Sequence, residues 1–347
     1  MDKPNHMLFS PELIPYPVFR VENNIITQVN DAARCRQISV GTDVRNIIRY
    51  GLEEYDKFQT GRLDLTLCID GSNFCAYVVP LDHAHVFCME SEYFQPELRA
   101  FSLASQQLRE PLTNAMISAN ALLSKIEDKD IAAKINRSLH QMMRVLSNMS
   151  DAVQYSANKA NLRNCNVVSV VYEILEKAET LLSQSGKKIT FQLPAQPFHC
   201  NIDSVMVERA ILNLISNAAS YSPDGALNAQ LNCSQDRLRF TVENNITSAV
   251  AKDLFDRYLR EPSIEDGRNG IGLGLPLVRS VAAAHGGTVL MEQTRKGKIR
   301  ITMTLSVRNS DIQTLREPTQ LPVDLSGGWD HCLLELSDIL STNLYEM

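Results

Sequence analysis

No stretch of this 347-residue sequence is apolar for long enough to cross a bilayer as a helix, and its eight cysteines form no C-x-x-C pair. The first absence argues against a membrane span. The second removes the common zinc-ribbon and dithiol redox motifs. Thiols scattered at 35, 68, 75, 88, 165, 200, 233 and 332 read as reduced and mostly buried, in a cytoplasmic protein. Basic charge is not in excess either: 34 Lys and Arg against 40 Asp and Glu leave −6, which argues against a general nucleic-acid-binding surface. The opening Met1-Asp2-Lys3-Pro4-Asn5-His6 begins no signal peptide. Tryptophan occurs once, and neither a repeat nor a low-complexity tract is present. What remains is an ordinary globular composition, long enough for two or three domains.

The first ninety residues mix strand-like runs with turns. Pro17-Val18-Phe19-Arg20-Val21 and Ile25-Ile26-Thr27-Gln28-Val29 flank a turn, and a helical stretch follows from Asn30. Alternation at 62–68, 74–80 and 85–89 predicts three more strands, with Asp70-Gly71-Ser72-Asn73 turning the first two. His83, His85 and Cys88 could suggest a metal, but three ligands on one short strand rarely converge. A strand pair, small helices and a three-strand meander resemble a PAS sensory domain. Asn30-Asp31-Ala32-Ala33 stands where that family commonly has Asn-x-Ala-Ala.

From Glu97 the period changes. Phe101, Leu108, Leu112, Met116, Ala119, Leu123 and Ile126 form one stripe. After a polar break at 127–130, Ile131, Ile135, Leu139, Met142, Leu146, Met149 and Val153 form another. The steps of three, four and seven predict an antiparallel helical hairpin. A lone hairpin cannot bury both stripes, so two copies forming a four-helix bundle, a homodimer, are expected.

Beyond the hairpin, helices are predicted at 167–185 and 203–221, with Asp203 as N-cap. Strands are predicted at 188–193, 198–202, 226–233, 237–243, 288–293 and 298–307, a helical piece at 249–259, and a helix from 275 to His285. This pattern predicts a mixed sheet covered on one face by helices. The final residues, after a Pro-containing connector, read as a tail helix docked on its own domain, with Trp329 as an anchor.

Gly270, Gly272 and Gly274 alternate immediately before a helix, a backbone suited to lie against phosphate oxygens. Asn213, Asn217 and Tyr221 step by four along the 203–221 helix and share one face. An Asn carbonyl is a hard neutral oxygen suited to Mg2+. Asn213 to Pro223 resembles the N-box of sensor histidine kinases. Leu254-Phe255-Asp256-Arg257-Tyr258 resembles their F-box, and Gly270 to Gly274 with His285-Gly286-Gly287 their second glycine box. The resemblance implies a multidomain α+β protein: a PAS-like domain at 1–92, a dimerisation hairpin at 93–160, an α/β-sandwich GHKL-type ATP-binding domain at 161–310 and a tail at 311–347. It further implies ATP and Mg2+, with Asn217 holding the metal, Asn213 steadying its waters, Tyr221 bordering the phosphates and a polar lid at 261–269. A response regulator and a signal for the PAS-like domain are the implied partners.

Two motifs depart from that family. Where it carries Asp-x-Gly-x-Gly to read adenine, this chain has Asn244-Asn245-Ile246-Thr247-Ser248. Asn244 keeps an acceptor oxygen but loses the charge, which predicts weakened ATP binding. Where it carries Ser-His-Glu-Leu-Arg-Thr-Pro-Leu, this chain has Ser105-Gln106-Gln107-Leu108-Arg109-Glu110-Pro111-Leu112. Gln106 occupies the phosphoacceptor position, and an amide is not a nucleophile as an imidazole is. His140, on the second hairpin helix, reads as lying on a solvated face. The expectation is a histidine kinase-family protein of two-component signalling, or an inactive pseudokinase serving as a dimeric nucleotide-dependent adaptor.

Overall fold

A computed structural model describes residues 14–81, 83–89, 94–123, 126–157, 160–246, 274–294, 297–307 and 330–346, with backbone alone at 94–102 and 152–157. Gly270, Gly272, the 254–258 and 261–269 segments and Trp329 lie outside the described residues. The chain divides into two compact units, Met1–Phe94 and Gln95–Met347.

The first unit contains β1 (Val18–Glu22), β2 (Ile25–Val29), α1 (Asp31–Cys35), β3 (Ile48–Tyr50), α2 (Leu52–Lys57), β4 (Arg62–Ile69), β5 (Ser72–Leu81) and β6 (Ala84–Met89). Its strands run in the order β2-β1-β6-β5-β4, with β3 beside β4 and every pair antiparallel. Asp70 and Gly71 both have positive φ, which narrows the expected turn to a two-residue hairpin loop. Asn30 explains its own motif. Its buried side chain caps α1 by accepting from Ala33 N at 2.9 Å and accepts from Val18 N at 3.0 Å. It also donates to the Ile14 and Tyr16 carbonyls at 3.1 and 2.8 Å. His83 lies in the turn before β6, and the His85 ring instead meets the Tyr55 hydroxyl at 3.2 Å.

The second unit begins with the hairpin, α3 (Phe94–Leu123) and α4 (Lys129–Ala157). The first helix ends at 123 rather than 126, and the second takes up Lys129 and Asp130 from the expected break. Then come β7 (Arg163–Asn166), α5 (Val167–Gln184), β8 (Lys188–Gln192), β9 (His199–Ile202), α6 (Ser204–Tyr221), β10 (Ala226–Cys233) and β11 (Arg237–Asn245). They are followed by α7 (Gly274–Ala284), β12 (Val289–Gln293), β13 (Lys298–Ser306) and α8 (His331–Glu335). Its strands run β12-β13-β11-β10-β8, parallel only at β10–β8, while β7 and β9 pair separately. One large core joins the sheet to the inner faces of α5, α6 and α7, from Leu175 and Ile211 to Val281 and Phe240. Leu336, Leu340 and Tyr345 of the C-terminal segment belong to that core.

Two expectations are corrected here. The thiols are not mostly buried: Cys88, Cys200 and Cys332 are, Cys35 and Cys75 are exposed, and the other three lie between. His140 is not on a solvated face. It is 6% exposed, because the Tyr345 ring packs edge-on over it and its Nδ1 meets the Asn136 carbonyl at 2.9 Å. The polar face of α6 is covered over part of its length. Arg209, Asn213 and Ser216 are all buried, since α8 packs over the middle of α6 and Arg144 reaches Ser216 from α4.

Candidate nucleotide site

Helix α6 starts where Asp203 caps it, its Oδ1 accepting from Met206 N at 3.1 Å and its Oδ2 from Asn161 N at 2.9 Å. Its apolar stripe (Val207, Ala210, Ile211, Leu214, Ile215, Ala218) is buried in the core, which turns Asn213 and Asn217 toward α7. The two helices run antiparallel, because His285 at the end of α7 joins the start of α6. Its Nε2 accepts from Asp203 N at 3.0 Å, and its Nδ1 donates to the Val281 carbonyl at 2.8 Å. Those partners assign one proton to the ring, and burial pushes its pKa below the ordinary value. His285-Gly286-Gly287 is therefore a structural joint. Gly286 has positive φ, and the Gly287 and Gly286 amides close the helix end on the Ala282 and Ala283 carbonyls. A methyl on Gly287 would lie 1.8 Å from the Thr304 carbonyl oxygen.

The antiparallel arrangement delivers Gly274, the first residue of α7, to Asn213 and Asn217. A methyl there would lie 2.8 Å from Asn213 Oδ1 and 3.4 Å from Asn217 Nδ2. Only glycine lets the backbone meet both amides. Asn213 is 1% exposed, and its Nδ2 donates to the Arg209 carbonyl at 2.9 Å and to Glu335 Oε2 at 3.2 Å. That orientation turns Oδ1 toward Gly274, where it is buried with no hydrogen-bond partner among the described residues. A buried carbonyl oxygen without a donor is costly unless something supplies one. A hydrated Mg2+ carrying phosphates fits: hard oxygen ligands, metal-bound water to satisfy Oδ1, and backbone N–H groups at the α7 N-terminus for the anion.

Tyr221 is half-buried at the last position of α6, one turn beyond Asn217. Asn244 ends the alternation of Leu238, Phe240 and Val242 on the helix-facing side of β11 and is 6% exposed. Its Nδ2 donates to the Asn245 carbonyl at 2.9 Å, so the oxygen is the group left to accept from a ligand. Asn213, Asn217 and Gly274 are thus brought together, while Gly270 and Gly272 lie outside the described residues.

Gln106 and Gln107 are exposed on α3. Nearby, Arg109 Nη2 donates to Ser147 Oγ on α4 at 3.2 Å, tying the two hairpin helices. The burial of His140 lowers its pKa and leaves its ring facing Tyr345.

Residues the sequence reading passed over stand beside Asn213. Glu335, on α8, is fully buried and ion-paired with Arg209 and with Arg144 of α4. Arg209 lies one turn before Asn213 on α6, so it was within reach of a helical-face argument. The acid that neutralises it is 126 positions away in sequence and gave no such signal.

Residues 202–309 match the family described as histidine kinase-, DNA gyrase B-, and HSP90-like ATPase. Over 213 residues the chain is 29% identical to the probable sensor protein PcoS of Escherichia coli, covering 57% of this chain and 45% of that one. It is 28% identical over 214 residues to the sensor histidine kinase CusS of Escherichia coli strain K12, covering 58% and 44%. The chain thus spans less than half the length of these relatives. Among solved structures, the Acinetobacter baumannii histidine kinase AdeS is 19% identical with a TM-score of 0.39, covering 59% of this chain and 96% of that one.

Proposed function

Since the chain belongs to the sensor histidine kinase family and carries its GHKL-type ATPase domain, we propose that it binds Mg-ATP and acts in two-component signalling as a nucleotide-dependent adaptor. The observation that carries the nucleotide reading is Asn213 Oδ1, buried against Gly274 and the Asn217 amide with no donor among the described residues. Asn217 would hold Mg2+, Asn213 its water shell, Tyr221 the edge of the phosphates, and Asn244 the adenine amino group. Gly270, Gly272 and Gly274 would flank the triphosphate. Bound ATP brings three phosphates and a transferable γ-phosphoryl group. The chain's own contribution is to orient it.

Gln106 sets the adaptor reading apart from a self-phosphorylating kinase. It has no nucleophilic nitrogen, and His140, buried under Tyr345, offers no replacement. Exposed Leu108, Ile117, Leu122, Ile131, Ile135 and Met142 leave an apolar surface on the hairpin, which supports a homodimer closing a four-helix bundle. A PAS-like first unit would receive the signal, a response regulator is the proposed partner, and the free thiols support a cytoplasmic setting. None of the described helices is long and apolar enough to cross a membrane.

Incubation with Mg2+ and γ-labelled ATP tests this reading. Mg2+-dependent nucleotide binding that is lost in Asn217→Asp, with no acid-labile label on the chain, is the expected result. Acid-labile label on the chain would instead establish self-phosphorylation.

A further inference from the structure

The C-terminal segment 330–346 does more than cover its own domain. It lies between α4 of the hairpin and α6 of the ATPase domain and bonds to both. On the hairpin side, Arg137 donates to the Ser337 and Asp338 carbonyls at 2.9 Å each, and Asn136 Nδ2 to the Tyr345 carbonyl at 3.0 Å. On the other side, His331 Nδ1 lies 3.1 Å from Glu208 Oε2 of α6, and Ser341 N donates to Ser185 Oγ, just past the end of α5, at 2.8 Å. At the centre sits Glu335, 0% exposed, an acid the proposed nucleotide chemistry does not use.

Glu335 joins three elements. It pairs with Arg209 of α6, lies 3.3 Å from Arg144 Nε of α4, and accepts from Asn213 Nδ2 at 3.2 Å. Arg144 also donates to Ser216 Oγ of α6 at 2.9 Å and pairs with Asp338, so its guanidinium is held from several sides. The consequence for Asn213 is directional. An amide can turn by a half rotation and exchange its oxygen for its nitrogen, and a carboxylate accepts only. Glu335, together with the Arg209 carbonyl at 2.9 Å, therefore pins the nitrogen and leaves the oxygen toward Gly274.

We propose that Glu335 is a positioning residue for the metal-facing oxygen of Asn213, and that segment 330–346 is a strut through which nucleotide occupancy is felt at hairpin helix α4. This rests on the reading of Asn213, Asn217 and Gly274 as the nucleotide site. A lobe that must carry a phosphoryl group to a hairpin histidine has to move. In a chain with Gln106 there, a fixed joint loses no such step and gives the hairpin a direct mechanical link to the site.

The test uses the full chain, titrating Mg2+ at fixed fluorescent ATP analogue and following hydrogen exchange across 136–148. Glu335→Asp keeps the charge and withdraws the acceptor by one methylene. It should raise the Mg2+ concentration for half-saturation about tenfold, the equivalent of one charge-assisted hydrogen bond. Arg144→Gln leaves the Glu335–Arg209 pair within reach of Asn213. It should keep the wild-type Mg2+ dependence but abolish the slowing of exchange at 136–148 that nucleotide produces in the wild type. An unchanged Mg2+ half-point in a folded Glu335→Asp overturns the positioning role, as does a wild type whose exchange at 136–148 ignores nucleotide for the strut. Should the wild type bind no Mg-ATP, the nucleotide reading itself fails. The strut falls with it, whereas a wild type that binds Mg-ATP and fails either test above overturns this inference alone.

Discussion

The ATPase domain and the hairpin belong to the same compact unit but handle apolar surface in opposite ways. In the ATPase domain, alternate residues of β10, β11 and β13 meet the stripes of α5, α6 and α7 in one core, and almost nothing large and apolar is left outside. In the hairpin, Met116 and Met143 are buried, packed with Leu334 of α8, while Ile131, Ile135 and Met142 along α4 are half open to solvent. The first region covers most of its own apolar faces, and the second leaves part of one exposed. The proposed chemistry divides the same way: the asparagines and Gly274 lie in the first region, and Gln106 lies in the second.

Substitutions can break or sharpen that contrast. The largest effect is expected for Gly287→Ala, whose methyl would meet a backbone oxygen of β13 that cannot move aside. A loss of about 4 kcal/mol or more in urea unfolding is expected, and near-wild-type stability would show that the core yields more than its packing implies. Next is Arg209→Met, which leaves the fully buried Glu335 carboxylate with one cation fewer. A loss of about 3 kcal/mol is expected in the same measurement. On the hairpin, Ile135→Lys should cost less than about 0.5 kcal/mol in the isolated chain. Light scattering should nevertheless report a shift from dimer to monomer, and a persisting dimer would remove the stripe from the interface.

The smallest effect is a pH dependence. Burial lowers the pKa of both His285 and His140 below the ordinary 6.5. Between the lowered folded value and about 6.5 the unfolded chain binds more protons, so stability is complete above that range and falls as pH drops through it. Thermal unfolding from pH 7.5 to 5.5 should show this decline, and His285→Gln should flatten it.

Periodicity made most elements legible. The strand at 226–233 matches β10 residue for residue, and the Asp203 cap stands as expected, because alternation and capping are local properties. Two short strands were missed. Arg163-Asn164-Cys165-Asn166 has no apolar alternation, and β7 exists only because β9 lies opposite. Ile48-Arg49-Tyr50 is three residues long and held by β4. The site was partly legible for the same reason: Asn213 and Asn217 share a face by spacing, but their meeting with Gly274 depends on the antiparallel passage of α7.

The amino-acid sequence by itself determined the period of most helices and strands, the glycine that a close approach requires, and an amide in place of an imidazole as the expectation at Gln106. These follow from residue chemistry and from neighbours within a turn or two. Only the tertiary structure decided which faces are dry. The local pattern put His140 on a solvated face and could not say that Asn213 is dry, and the C-terminal segment, about two hundred residues beyond the first and more than one hundred and twenty beyond the second, covers both. Burial is a property of the partner surface, and no local pattern carries it.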